Sequence, residues 1–180
     1  DYDFTNTLPI KTYKNFGKPD QQTTQTEYDT KIFGISKEIG TNALEVRKEF
    51  YPDGKLKQIS DKDNNVLKHI TYLYRSTVDA IFGTDQNKNR VITRVPRILA
   101  GDATSLTHLN CNISIQYADG AGRGMQTIEY RASPASKDII SGTVEYDVFG
   151  RPFKTFLPIE SEFDDGRFVD TTTVQTRAKA

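Results

Sequence analysis

One cysteine, one methionine, two histidines and no tryptophan leave this 180-residue chain with little of what redox, thiol or metal chemistry uses. Cys111 has no partner for an internal disulfide. That fixes no compartment, because many proteins exported by bacteria also lack disulfides. Charge of one sign is missing as well. Lysine and arginine number 24 and aspartate and glutamate 24, for a formal net charge of zero, whereas a nucleic-acid binder needs an excess of cations on one face. Long apolar runs are lacking: a stretch such as Val78 to Phe82 is interrupted by Asp79, and a helix crossing a bilayer needs roughly 20 apolar residues. Neither nucleic acid nor a membrane span is therefore expected. Nothing at Asp1 resembles a charged start followed by an apolar export-signal core, and the only methionine is Met125. The chain is expected to be a piece of a longer protein or a processed product.

What the chain does have is rings, ten Phe and nine Tyr, in a composition only 36% hydrophobic. A compact globule usually has about 45–50% by a count that includes Gly, so thin sheets studded with aromatics are the expectation. Alternation supports strands, with Leu44, Val46, Lys48 and Phe50 in one run and Ile113, Ile115 and Tyr117 in another. A helix competes only over Asn42 to Phe50, where Asn42 offers a cap. The short length of that run and the Pro52-Asp53-Gly54 turn behind it favour a strand. From Leu44 to Tyr74 the pattern predicts a meander: a strand, the Pro52-Asp53-Gly54 turn, a strand from Lys55 to Ser60, a turn from Asp61 to Asn65, and a strand from Val66 to Tyr74. Arg75 to Asn110 is less regular. It holds Gly83 to Asn87, a strand-like Arg90 to Val95 stopped by Pro96, and a polar Gly101 to Thr107.

A longer period runs through this pattern. Tyr13 to Lys18, Phe50 to Lys55 and Tyr146 to Arg151 each read aromatic, three residues, glycine, then a cation, the glycines being Gly17, Gly54 and Gly150. Looser copies are Tyr117, Asp119, Gly122 and Arg123; Phe163, Gly166 and Arg167; and Tyr28-Asp29 with Gly34. In each, the ring is expected to end a strand facing the sheet interior and Asp or Asn to satisfy turn amides. Glycine supplies a dihedral that a Cβ disfavours, and the cation opens the return strand and lies over the ring. One hairpin alone is marginal, so several must stack.

Glu145-Tyr146-Asp147-Val148-Phe149-Gly150-Arg151 carries in full the Tyr-Asp, two residues, Gly-Arg signature, and on it the chain resembles the RHS, or YD-repeat, family. The longer block from Ile115 to Ile159 includes Tyr117 to Arg123, Met125-Gln126-Thr127, Ala132-Ser133-Pro134, Lys137 to Ile140 and Leu157-Pro158. It is similar to a domain of unassigned function that precedes the RHS repeats in large secreted proteins of bacteria using the type 9 secretion pathway, some of them gliding bacteria. Gly124 departs from the Pro usual in that block, and several repeat Arg positions hold Lys. The resemblance implies a wall rather than a catalyst: repeats that wind a β-strip into a hollow shell around a variable C-terminal segment, often a toxin, or that act at the cell surface. It further implies partners in the remainder of the same RHS chain, in an enclosed C-terminal segment and in a secretion translocon, and a secreted or cell-surface location.

Other chemistries fit less well. Gly120-Ala-Gly122-Arg-Gly124 suggests a dinucleotide loop, but the third glycine is replaced by Met125, and Met125 to Tyr130 reads as a strand. Asp61, Asp63 and Asn65 offer alternate oxygens, yet Val66 and Tyr72 stand where a calcium loop needs Gly and Glu; Asp85, Asn87 and Asn89 fail in the same way. His69, His108 and Cys111 are too few for a metal shell. Asp164 and Asp165 are adjacent, so on a strand they face opposite ways and suit a turn better than paired-acid catalysis. Arg90, Arg94 and Arg97 are expected on a solvated sheet edge.

The expected fold is therefore mainly β, antiparallel hairpins forming a curved sheet. Residues 1–110 form a repeat-like region, irregular near 75–110, and residues 111–180 an RHS-associated domain. The expected role is structural and non-enzymatic, without metal or cofactor. The alternative is a surface adhesion or carbohydrate-binding module using exposed rings.

Overall fold

The computed structural model describes residues 1–2, 7–14, 16–19, 21–74, 88–98, 101, 106–107, 109–130, 137–161, 166–170 and 172. The strands are β1 (Lys11–Lys14), β2 (Gln22–Tyr28), β3 (Ile35–Ile39), β4 (Glu45–Phe50), β5 (Leu56–Asp61), β6 (Val66–Leu73), β7 (Asn89–Pro96), β8 (Cys111–Ala118), β9 (Gly124–Tyr130), β10 (Ile139–Ser141), β11 (Val144–Tyr146), β12 (Pro152–Thr155) and β13 (Ile159–Glu160). Hydrogen-bonded order follows chain order from β1 to β10 and ends on β13, while β11 and β12 form their own two-stranded sheet. This is an antiparallel meander, as the alternation of the sequence predicts. The segment open to a helix is strand β4, and β5 and β6 fall within a residue of their expected limits.

The chain divides into two compact units, Asp1–His69 with Leu99–Ser105 and Ile70–Ile98 with Leu106–Ala180. Among the described residues of the first unit only Ser60 and Val66 are buried. Its strands are instead cross-linked by charge: Lys37 reaches Glu27 at 3.0 Å, Lys48 reaches Glu38 at 3.7 Å, and Lys57 reaches Glu49 at 3.3 Å. Such half-exposed pairs contribute only about 0.2–1 kcal/mol each, so this unit relies on its ladders and turns.

The apolar core lies in the second unit. Strand β8 alternates strictly, with Cys111, Ile113, Ile115 and Tyr117 buried, and Ile92, Ile128 and Ile140 from β7, β9 and β10 join them. Burial pushes the Cys111 thiol above its ordinary pKa, against the opposing charges of Arg94 and Arg97. One expectation is overturned here. Arg90 and Arg94 are not on a solvated edge: they are 3% and 6% exposed and flank Ile92. The reason is topological, since β7 lies between β6 and β8 and has no free edge. Arg94 Nη1 donates to Thr71 Oγ1 at 3.0 Å. Strand β7 does end at Pro96, which is its last paired residue, opposite Cys111, at a strand end where the missing N–H is least costly.

Candidate functional site

Three copies of the recurring sequence element, ending at Lys55, Arg123 and Arg151, fold as one kind of turn, which the segments at 40–44 and 61–65 share. At 40–44, 51–55, 61–65, 119–123 and 147–151, the first residue's N–H donates to the carbonyl of the fifth, and the fourth residue's N–H donates to the carbonyl of the first. The fourth residue is left-handed each time: Ala43, Gly54, Asn64, Gly122 and Gly150 have φ between 54° and 83° with the other positive-φ positions. The loop at 29–34 is one residue longer. There Asp29 donates to Gly34 and Phe33 donates to Asp29, so the left-handed residue is Phe33 and not the expected Gly34. A Cβ in this region costs roughly 1–2 kcal/mol, which is why glycine dominates and Asn is the usual substitute.

Aspartate in the first position organises the turn. Asp147 Oδ1 accepts the amides of Phe149 and Arg151, both at 2.9 Å, while Oδ2 takes Arg151 Nε at 2.8 Å and Nη2 at 2.7 Å. Asp119 repeats this with the amides of Ala121 and Arg123 and with the Arg123 guanidinium. Asp61 does so with the amides of Asp63 and Asn65 and the Asn65 side-chain amide. Its oxygens, which resembled calcium ligands in spacing, are thus taken up by the turn. The backbone bond from Arg151, then its side chain, the Phe149 amide and the Arg123 charge, outweigh desolvation and hold the Asp147 carboxyl below its ordinary pKa. For Asp119 desolvation is the largest single effect, but the bonds from Arg123 and Ala121 together exceed it, and its pKa is also lowered.

The rings and cations join one hairpin to another. The Arg123 guanidinium carbon lies 4.5 Å from the centre of the Tyr146 ring, and the Tyr146 hydroxyl donates to the carbonyl of Gly124 at 2.7 Å. In the first unit, a Cβ placed on Gly34 would stand 3.1 Å from Phe50 Cζ. Both joints have one form: the ring just before one turn rests on the residue just after the left-handed position of another.

The remaining expected positions are placed as follows. Tyr28, Phe50 and Tyr146 precede their turns directly, whereas Tyr117 precedes Asp119 by two residues and is fully buried in the core. Tyr13 stands in β1 opposite Thr23. Gly17 is left-handed, but its N–H donates to the Gln21 side chain at 2.9 Å, in a longer connection than the five-residue turn. Gly166 is buried and left-handed, and it lies with Arg167 outside the strands. Its carbonyl accepts the Tyr117 hydroxyl at 2.7 Å and its N–H faces Asp138 Oδ2 at 3.3 Å. Gly83 to Asn87, His108, Ala132 to Ser136 and Phe163 to Asp165 lie outside the described residues.

Residues 166–170 also dock on β9 through Gln126. The Gln126 side chain donates Nε2–H to the Val169 carbonyl at 2.9 Å and accepts the Val169 N–H on Oε1 at 3.0 Å, as a neighbouring strand would. Gln126 Nε2 is also bonded to Thr143 Oγ1. Nothing in the spacing of Gln126 or Thr143 marks them in the sequence.

Chemically, this arrangement holds chain to chain. Among the described residues no group of three or more His, Cys, Asp and Glu gathers as metal ligands, and no helix is long and apolar enough to cross a membrane. An open depression of about 450 Å³ in the second unit is lined by Tyr146, Phe153 and Phe168 together with Asp119, Glu145 and Arg123.

Residues 92–180 match the family described as a domain of unknown function, DUF6443. No curated protein matches the chain in sequence. Among solved structures, the crystal structure of TcdB2-TccC3 without its hypervariable C-terminal region is similar with TM-score 0.62 and 12% identity over 88% of this chain. That of TcdB2-TccC3-TEV is similar with TM-score 0.66 and 10% identity over 99%, and TcdB2-TccC3 itself with TM-score 0.55 and 14% identity over 76%. The chain spans only 12%, 12% and 8% of those chains respectively. In fold it is therefore an antiparallel β meander similar to part of those much longer chains, and its C-terminal part carries the match to that domain of unknown function.

Proposed function

We propose that this chain is a non-enzymatic wall segment of a large exported RHS-type protein, supplying a strip of hairpins to a shell that encloses or presents a C-terminal segment, in some cases a toxin. The observation that carries the reading is the shared turn at 40–44, 51–55, 61–65, 119–123 and 147–151, whose polar side chains are spent on the turns and on joints between hairpins. Similarity to far longer chains, one crystallised without a hypervariable C-terminal region, supports a segment rather than a free-standing module. Its partners on this reading are the remainder of its own chain, the enclosed segment and components of a type 9 translocon. Its location is the cell surface or the medium.

A second reading has one observation in its favour. Phe149 and Phe153 are 80% and 67% exposed, and rings beside carboxylates suit a sugar face. Two experiments separate the readings. Continuing the gene past Ala180 is expected to show further Tyr-Asp hairpins and then an unrelated segment, and fractionation is expected to find the protein at the surface or in the medium only when the type 9 pore is intact. Retention in the cytosol, or saturable polysaccharide binding lost in Phe153→Ala, would overturn the wall reading.

A further inference from the structure

The five-residue turns can be compared with one another. Their second and third residues, at the apex, are Thr41-Asn42, Pro52-Asp53, Lys62-Asp63, Gly120-Ala121 and Val148-Phe149. All are exposed, and four of the apices carry polar, small or turn-forming residues, as solvent favours. The fifth does not. Val148 is 95% and Phe149 80% exposed, although the turn is held by Asp147 and the backbone and uses neither side chain. Two large apolar groups that stay in water add nothing to folding.

Charge around this apex is arranged outward. Arg151 is paired with Asp147 and Lys154 with Glu145, but the cation is the more exposed partner each time, 73% against 23% and 47% against 28%. Each cation also lies beside an exposed ring: Arg151 is 5.2 Å from the centre of Phe149, and Lys154 Nζ is 5.5 Å from that of Phe153. An apolar tip followed by rings with cations at their sides matches the layers of a lipid–water boundary, where acyl chains give way to phosphates. A convex apex offers no groove for a partner's side chains. It can enter that boundary, into which amphipathic faces reach about 5–10 Å.

We propose that the 147–151 turn docks on an anionic lipid bilayer, with Val148 and Phe149 inserted among the headgroups and Arg151 and Lys154 against the phosphates. This contact needs no membrane span and does not rest on the wall reading. Two inserted side chains and two cations give weak, reversible binding, seen at about millimolar lipid.

The chain has no tryptophan, so Phe149→Trp places a sole fluorophore at the tip, and Ala121→Trp places one at the matching residue of the 119–123 turn. Each protein is titrated with vesicles of phosphatidylglycerol and phosphatidylcholine in equal parts, and with vesicles of phosphatidylcholine alone. On the anionic vesicles the emission of Phe149→Trp is expected to shift to the blue and to be quenched by brominated acyl chains, while that of Ala121→Trp stays unchanged. In the Phe149→Trp background Val148→Ser should weaken binding about five-fold or more. Lys154→Gln should weaken it about five-fold, and raised salt should weaken it too. Both side chains are exposed, so circular dichroism should show the fold unchanged. No response from Phe149→Trp, or an equal response from Ala121→Trp, would overturn the proposal. So would equal binding to both kinds of vesicle. Emission already blue-shifted without lipid, once the gene is continued past Ala180, would show the tip covered by protein and overturn it as well. Each of these results leaves the wall reading in place.

Discussion

Arg123 and Tyr146 belong to different hairpins, yet the guanidinium of one lies 4.5 Å from the ring centre of the other and the phenol bonds the Gly124 carbonyl beside it. Arg123 also clamps Asp119 of its own turn, so one side chain closes a turn and joins it to the next. Arg123→Ala is expected to destabilise the second unit by about 1–3 kcal/mol, the range for a charge-assisted bond and a partly exposed cation–ring contact together. Tyr146→Phe, which keeps the ring, should cost about 0.5–1.5 kcal/mol. Urea unfolding of both variants measures this.

Gly122 and Gly150 hold the same left-handed conformation, with φ of 80° at each, but in different surroundings. A Cβ at Gly122 meets nothing within 4 Å, whereas one at Gly150 falls on Arg123 Nη1. Gly122→Ala should cost the backbone strain alone, roughly 1–2 kcal/mol. Gly150→Ala should cost more, because Arg123 must leave Tyr146 or Asp119 to make room. In an Arg123→Ala background the two substitutions should cost the same.

Ala43 is exposed and left-handed at the 40–44 turn, φ 61°. Replacing it with glycine removes the Cβ penalty while making the unfolded chain more flexible. A net gain of about 0.5–1 kcal/mol is expected, read as a rise in midpoint for unfolding of the first unit. A loss would show that this turn is not under the strain assigned to it.

Gln126 is 2% exposed and satisfies both the N–H and the carbonyl of Val169. Gln126→Leu should leave two buried backbone groups unpaired, at about 1–3 kcal/mol each, and release residues 166–170. Hydrogen exchange at the Val169 amide should accelerate before that of Ile115 or Ile128.

Acid should weaken the second unit through Asp119 and Asp147. Both carboxyls have folded-state pKa values below the ordinary one, so their contribution is complete above the unfolded value of about 3.9 and is lost as pH falls through the folded values beneath it. Stability should be level between about pH 5 and 7 with respect to these groups and should decline below about pH 4. The double variant Asp119→Asn, Asp147→Asn should start less stable and decline less steeply.

Strand positions and most turns were legible because ladder alternation and turn chemistry are local. The meander from β4 to β6 follows from Pro52-Asp53-Gly54 and Asp61 to Asn65 almost residue by residue. Less was legible where a rarer residue does a common residue's work: Ala43 and Phe33 are left-handed where a search for Gly and Asn passes over them. Burial depends on strand order, which spacing does not reveal, and so the arginines of β7 read as edge residues although they lie inside. The joint of Arg123 with Tyr146 was misassigned for a related reason. The sequence places a cation next to the ring of its own copy, while Arg123 reaches the ring of a later copy and Arg151, 5.2 Å from the centre of Phe149, keeps to its own turn. The clamp of Gln126 on Val169, 43 residues apart, has no local signal at all.

The most direct measurement is residue-resolved native-state hydrogen exchange across residues 144–155 in wild type and Arg123→Ala. If hairpins are held by their neighbours, removing a side chain from the 119–123 turn should speed exchange in β11 and β12 while the β8 and β9 core amides keep their protection. Unchanged protection at 144–155, with exchange accelerated only around Arg123, would contradict it.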